Sequence, residues 1–319
     1  AHAAFALVAS ACGGDDAADD TATEDTAAEE TTEETTAPLP GAGILACMVT
    51  DIGGVDDKGF NQIAYEGMKM AEAELGVTID LLESSSDADY APNLQSFADK
   101  GCNITVTVGF LLGDATKAAA EANAGLNYAI VDFAYDPPVA NARGLVFATD
   151  QPSFMAGYMA AAMTKTGTVA TYGGVNIPPV TVFMEGFRLG VEYYNAQKGT
   201  SVKLLGWDGK DGTFAGNFES LDDGKNIAKS QADEGADIIF PVAGPVGLGS
   251  APFALESGGK VKIIGVDVDM SVSNPDAAEV YIASVLKNID AAVFAAIKDV
   301  VEGSGVTDNY VGTLANGGV

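Results

Sequence analysis

Histidine is almost missing from this 319-residue chain; the single one is His2. A Ser-His-Asp or Cys-His nucleophilic centre therefore has no base to use beyond the first few residues. Three cysteines, none in CxxC spacing, leave a zinc or haem site without a donor set. No metal and no cofactor are expected. Basic residues are also scarce, 16 Lys and Arg against 45 Asp and Glu. The resulting charge of −29 speaks against nucleic acid, because a phosphate backbone selects clustered cations. No apolar run reaches the ~20 residues that a membrane-crossing helix needs. A P-loop is missing too: the Gly-rich stretch at 244–249 lacks the closing Lys-Ser/Thr. Catalysis by paired carboxylates needs no histidine, yet nothing in the pattern singles out such a pair. The residues point to binding rather than to an enzyme.

What is present begins with an unusual N-terminal arrangement. Residues 1–12 contain Ala3-Ala-Phe-Ala-Leu-Val8 and then Ala9-Ser-Ala-Cys12, which reads as the end of a signal peptide followed by a lipobox. Ala9 stands where Leu is usual. On this reading Cys12 is lipidated, anchoring the protein to the extracytoplasmic face of a cell membrane without spanning it. Residues 13–40 carry ten acids, no base and almost no apolar side chain larger than Ala. Such a segment cannot offset its ordering entropy by burial, so an extended, disordered acidic tether is expected. Removing its charge leaves −19, which favours solubility and says little about the ligand. Export permits a disulfide between the remaining cysteines, Cys47 and Cys102, if their strands are neighbours. Two buried free thiols are the favoured alternative.

From residue 43 onward, apolar strands alternate with helical periodicity. Strands are expected at 44–50, 77–82, 103–108, 127–133 and 144–149, with helices near 61–75, 90–100 and 114–124. A second series starts at residue 150 and contains strands at 168–172, 201–206, 236–242, 261–266 and 280–286, with a last short strand near 309–314. Two parallel sheets flanked by helices follow from this alternation. The expected partition is 41–149 plus about 270–302 in lobe 1, and 150–269 plus about 303–319 in lobe 2. A cleft between two such lobes closes by hinge motion.

Ligands of open α/β sheets bind beyond the carboxyl ends of strands, and those ends carry polar or aromatic groups here. The first strand runs into Asp51-Ile-Gly-Gly-Val-Asp-Asp-Lys-Gly-Phe-Asn-Gln62, which sets the ring of Phe60 beside an amide and three carboxylates. The fourth strand ends at Asp132, the strand at 236–242 at Ala243-Gly244-Pro245, and the strand at 261–266 at Asp267-Val-Asp269. Any one of these acids is explained by a turn or a cap; with Asp114 in the stretch after the strand at 103–108, they recur at four strand ends, and that recurrence is what carries weight.

The stretch Val49–Gln62, together with Thr107-Val-Gly-Phe110, Ala129-Ile-Val-Asp132, Gly186-Phe187, Phe240-Pro-Val-Ala-Gly244, Ile264-Gly-Val-Asp-Val-Asp269 and Ser284-Val-Leu-Lys287, resembles the BMP (basic membrane protein) family. These are lipoproteins that serve as substrate-binding proteins of ABC importers, purine nucleoside receptors among them. The resemblance implies a type I periplasmic-binding-protein fold with the ligand in the interlobe cleft, an ABC permease as partner and a monomer. It implies that Phe60 stacks on a purine, with Asn61 and Asp51 making polar contacts and Asp132 hydrogen-bonding the base edge. Phe183 is the implied second stacking ring and Gly244 a backbone contact. Asp267 and Lys287 would bind the ribose hydroxyls, with Asp269 competing for the acidic role. A sugar or another small solute is the alternative ligand. Two departures stand out: Gly59 replaces a Ser, and Pro245 removes an N–H donor from its loop.

Overall fold

The computed structural model describes residues 38–306 and 308–319. Cys12, the signal remnant and most of the acidic segment lie outside the described residues.

The first lobe opens with β1 (Leu45–Ile52), α1 (Phe60–Leu75), β2 (Thr78–Ser84) and α2 (Tyr90–Lys100). It continues through β3 (Ile104–Val108), α3 (Gly113–Ala122), β4 (Asn127–Val131) and β5 (Ala142–Phe147). The second lobe holds α4 (Asp150–Met163), β6 (Thr168–Gly173), α5 (Pro178–Lys198), β7 (Lys203–Leu205) and α6 (Leu221–Asp233). After these come β8 (Ile238–Val242), α7 (Pro245–Leu248), α8 (Ser250–Glu256), β9 (Lys262–Asp267), α9 (Met270–Ser273) and β10 (Tyr281–Leu286). The chain then returns to the first lobe for α10 (Ile289–Val301) and β11 (Tyr310–Gly312).

Both sheets are parallel and share one plan. The first has the order β11-β5-β4-β3-β1-β2 and the second β10-β9-β8-β6-β7. Read from the β2 and β7 edges, each runs 2-1-3-4-5, the doubly wound order whose switch point lies beside the first strand. Helices cover both faces, so the central strands are enclosed: all five residues of β8, and all five of β3 including Thr105 and Thr107, are buried. The crossovers are shared out differently from expectation. β10 pairs with β9 from Ala283↔Ile264 to Leu286↔Asp267, and so belongs to lobe 2. β11 pairs with β5, and so belongs to lobe 1. The chain therefore crosses at 148–149 and 287–288, not near 270 and 302. The physical reason is that β10 completes the second sheet as its fifth strand. The apolar face of α10, with Ile289, Val293 and Ile297 fully buried, packs into the core of lobe 1.

The start of α1 is fixed from upstream. Asp57 accepts hydrogen bonds from the backbone N–H groups of Gly59 (2.9 Å), Asn61 (2.8 Å) and Gln62 (3.0 Å), which are donors that a helix start leaves unpaired. Gly59 at the N-cap position contributes no side chain, and Asp57 does its work instead. The far end closes conventionally, with Gly76 in the left-handed region (φ 75°) donating to Glu72.

Cys47 and Cys102 form a disulfide, with Cα atoms 6.0 Å apart. The free-thiol expectation is thereby corrected. β1 and β3 are immediate neighbours, with Cys47 level with Thr105, and Cys102 lies just beyond the cap of α2 at Gly101. Both cysteines are wholly buried among Val49, Leu94, Phe97 and Tyr128. The bridge closes a loop of sequence separation 55, so replacing both cysteines by alanine is expected to cost about 3–4 kcal/mol of stability. Urea unfolding of the oxidised wild type against the double variant measures this.

Candidate functional site

The carboxyl ends of both sheets face one another across a cavity of about 640 Å³, counted with its open mouth. Lobe 1 contributes Asp51 from β1, Phe60 and Asn61 from the first turn of α1, Gly109 and Phe110 after β3, and Asp132 after β4. Lobe 2 contributes Val180 and Phe183 from α5, Phe218 from the loop before α6, Gly244 after β8 and Asp267 ending β9. Lys287, at the crossover itself, closes the floor.

Eight of the residues singled out from the sequence meet here: Asp51, Phe60, Asn61, Asp132, Phe183, Gly244, Asp267 and Lys287. Asp269 does not. Its side chain caps α9, accepting from the backbone N–H and the hydroxyl of Ser271. Of the two acids after β9, Asp267 is the one that lines the cavity. Pro245 occupies the first position of α7, where a backbone N–H would have no intrahelical partner and its loss costs little.

Asp132 and Asp267 occupy equivalent places, each at the end of the fourth strand of its sheet. Both adopt the left-handed backbone conformation, with φ 69° and 66°. Asp tolerates this region better than most non-glycine residues, and strained positions of this kind gather where a side chain must be aimed. Lys287 lies between them. Its Nζ donates to Asp132 Oδ2 at 2.5 Å, and its own backbone N–H donates to the carbonyl of Asp267 at 2.9 Å. The ammonium also lies 4.8 Å from the Phe60 ring centroid, 5.2 Å from Phe147 and 5.7 Å from Phe183. Only 2% of Lys287 is exposed; an ion pair and aromatic faces replace the water it has lost.

Four acids share this space with one ammonium, and burial penalises their charges. Asp51 is pushed up to about 8, chiefly by burial and further by the charges of Asp57, Asp132 and Glu219, against the hydrogen bond from Asn61. Asp267 is pushed up to about 6 by burial, with Lys287 opposing. Burial also raises Asp132 and Asp57, opposed by Lys287 in the first case and by the backbone N–H donors in the second.

The aromatic surfaces differ between the lobes. Phe183 is 3% exposed and packs into the lobe 2 core with Phe240 at 6.4 Å. Phe218, only partly buried, stands in the irregular segment between β7 and α6 beside Gly174 and Gly244. Sequence reasoning missed Phe218. The signal was available in Ala215-Gly-Asn-Phe218-Glu-Ser220, another ring in a polar, Gly-containing stretch just before a helix.

Two parallel-sheet lobes around a cavity at the hinge are the fold that ABC solute-binding proteins adopt. Among solved structures, an ABC transporter solute-binding protein from Aeropyrum pernix K1 superposes with a TM-score of 0.78 at 28% identity. The match covers 86% of this chain and 75% of that one. Residues 44–310 match the Bmp family, described as ABC transporter substrate-binding protein PnrA-like, and the chain belongs to this family. Basic membrane protein A of Borreliella afzelii is 33% identical over 226 residues, 70% of this chain and 66% of that protein. The ABC transporter nucleoside-binding protein BmpA of Lactococcus lactis subsp. cremoris is 33% identical over 234 residues, 70% of this chain and 64% of that one. The chain thus spans about two thirds of the length of these relatives. Among the described residues, no helix is long and apolar enough to cross a membrane.

Raised carboxyl pKa values set the pH dependence of stability in the empty protein. A buried acid whose pKa rises on folding favours the folded state while protonated, and loses that advantage as pH climbs through its folded value. For Asp51 and Asp267 the loss runs from about 4 up to about 8 and about 6 respectively. The melting temperature of the ligand-free protein is therefore expected to fall across this window, and Asp51→Asn to flatten its upper part. Lys287→Ala leaves Asp132 unpaired in the floor and is expected to cost about 3 kcal/mol near neutral pH. The cost shrinks at acidic pH, where Asp132 takes up a proton; denaturant titrations at two pH values distinguish the cases.

Proposed function

We propose that the protein is a lipid-anchored extracytoplasmic receptor that closes its lobes on a purine nucleoside and presents it to an ABC permease. The observation that carries this reading is the pairing of two rings from opposite lobes, Phe60 and Phe218, across a cavity edged by buried acids and a buried lysine. Ring faces suit a flat heteroaromatic base. Acids and an ammonium close together suit a neutral diol, which both donates and accepts. The nucleoside-binding name of the Lactococcus lactis relative supports the same ligand class. Phe60 and Phe218 are the stacking platforms, and Phe183 lies beneath as part of the floor. Asn61, Asp51 and Asp132 serve the base, Asp267 and Lys287 the ribose hydroxyls, and Gly244 lets backbone approach. The protein acts as a monomer, makes and breaks no bond, and is held to the membrane through Cys12.

Mass spectrometry of the small molecules released when the purified protein is denatured tests the ligand class; a nucleoside is expected. A released sugar with no nucleoside would overturn the reading. Multiple turnovers of inosine to free base would replace a receptor with an enzyme. In calorimetry, Phe60→Ala and Phe218→Ala are each expected to weaken nucleoside binding by about 1–3 kcal/mol, the worth of one base-stacking platform. Phe183→Ala is expected to act mainly on stability, costing about 3 kcal/mol as a core truncation. Full affinity in both platform variants would remove the stacking role.

A further inference from the structure

The amide of Asn61 is left half-satisfied. Asn61 is 2% exposed and lines the cavity, and its Nδ2 donates to Asp51 Oδ1 at 2.9 Å. Its Oδ1 is buried with no hydrogen-bond partner among the described residues, a condition that costs free energy unless a ligand relieves it. The backbone of Asn61 is pinned by Asp57, so the freedom that remains is rotation of the side-chain amide. Oxygen and nitrogen of an amide have nearly the same shape and opposite hydrogen-bonding sense. What Asp51 offers decides which of them turns outward. An ionised carboxylate only accepts; it holds Nδ2 and leaves Oδ1 buried and unpaired, free to take a donor from a ligand that reaches it. A protonated carboxyl can donate its O–H to Oδ1, and Nδ2 then faces the cavity.

We infer that Asp51 and Asn61 together select the exocyclic group of the bound base, taking an amino group when Asp51 is ionised and a carbonyl when Asp51 is protonated. The inference rests on the purine nucleoside reading above. Asp51 is the specificity-determining residue although Asn61 makes the contact. A misplaced group meets its own kind, carbonyl oxygen against Oδ1 or amino group against Nδ2, and discrimination of this sort exceeds what apolar shape provides.

The surroundings keep the proton within reach of ordinary pH. Asp51 packs against Gly109, where any side chain would collide with its Oδ2, so no competing donor enters from β3. Asp57 faces it from the loop before α1, Asp132 from the end of β4, and Glu219 from the opposite lobe. Tyr90 on α2 feels the same charge, and its buried hydroxyl has no partner. Lys287, the cation of the cavity, is engaged by Asp132 rather than by Asp51. Burial and these negative neighbours bring Asp51 to about 8.

Calorimetric titration of the full chain with inosine and with adenosine, at pH about 6 and about 8.5, tests the inference. Inosine is expected to bind better at the lower pH, and the inosine-to-adenosine preference to fall by about tenfold or more at the higher one. In Asp51→Asn, which can donate or accept toward Asn61 without a proton change, the preference is expected to vary only as the ligands' own titration dictates. A wild-type preference that changes no more with pH than that of Asp51→Asn, while both nucleosides bind, overturns the inference and leaves the receptor reading intact. Failure of both nucleosides to bind at either pH overturns the receptor reading itself, and this inference with it.

Discussion

The ion pair between Lys287 and Asp132 is the contact on which the cavity depends. Four acids converge on a space with little water, and without an ammonium their mutual repulsion and desolvation would drive most of them to the neutral form. Lys287 supplies that charge from the first residue after β10, where the chain passes from one sheet to the other. Its backbone N–H is held by Asp267 and its side chain by Asp132, so a single residue joins the two lobes through both its backbone and its amine.

Shared strand order explains why the acids meet. Each sheet runs 2-1-3-4-5, and each ends its fourth strand in an aspartate with positive φ. When two such sheets face each other by their carboxyl ends, equivalent positions are brought to the same place. Asp132 and Asp267 are thus a consequence of architecture as much as of chemistry. The lobes depart from symmetry in where they place their rings: Phe60 begins a long helix in one lobe, and Phe218 stands in an irregular loop in the other.

Much of this was legible in the residues. The Asp51–Gln62 stretch announces a strand, a polar loop and a helix, and all three are there. The buried strand β8 is an unbroken apolar run and reads plainly. The resemblance carried over from Val49 to Lys287 named eight residues that the structure gathers in one cavity. Other features escaped for identifiable reasons. Phe218 lies in a segment with no periodicity, so nothing placed it relative to the cleft. Asp267 and Asp269 differ only in which way a turn points them, and a left-handed residue at 267 is not written in composition. Lobe membership of β10 and β11 depends on which sheet has an unfilled edge. The disulfide required knowing that β1 and β3 are neighbours, which strand order alone decides.

That disulfide has a consequence beyond added stability. The residues between Cys47 and Cys102 include Asp51, Ile52, Asp57, Phe60 and Asn61, the contribution of β1, the loop after it and α1 to the cavity. Sulfur joins the ends of this segment into a covalent ring that survives the loss of every non-covalent contact. An oxidised chain that has unfolded keeps these cavity residues within one closed circuit, and their reunion requires a search within the ring rather than along the full chain. Lobe 1 thus contains a macrocycle, whereas lobe 2 has no cysteine and must be rebuilt from open chain.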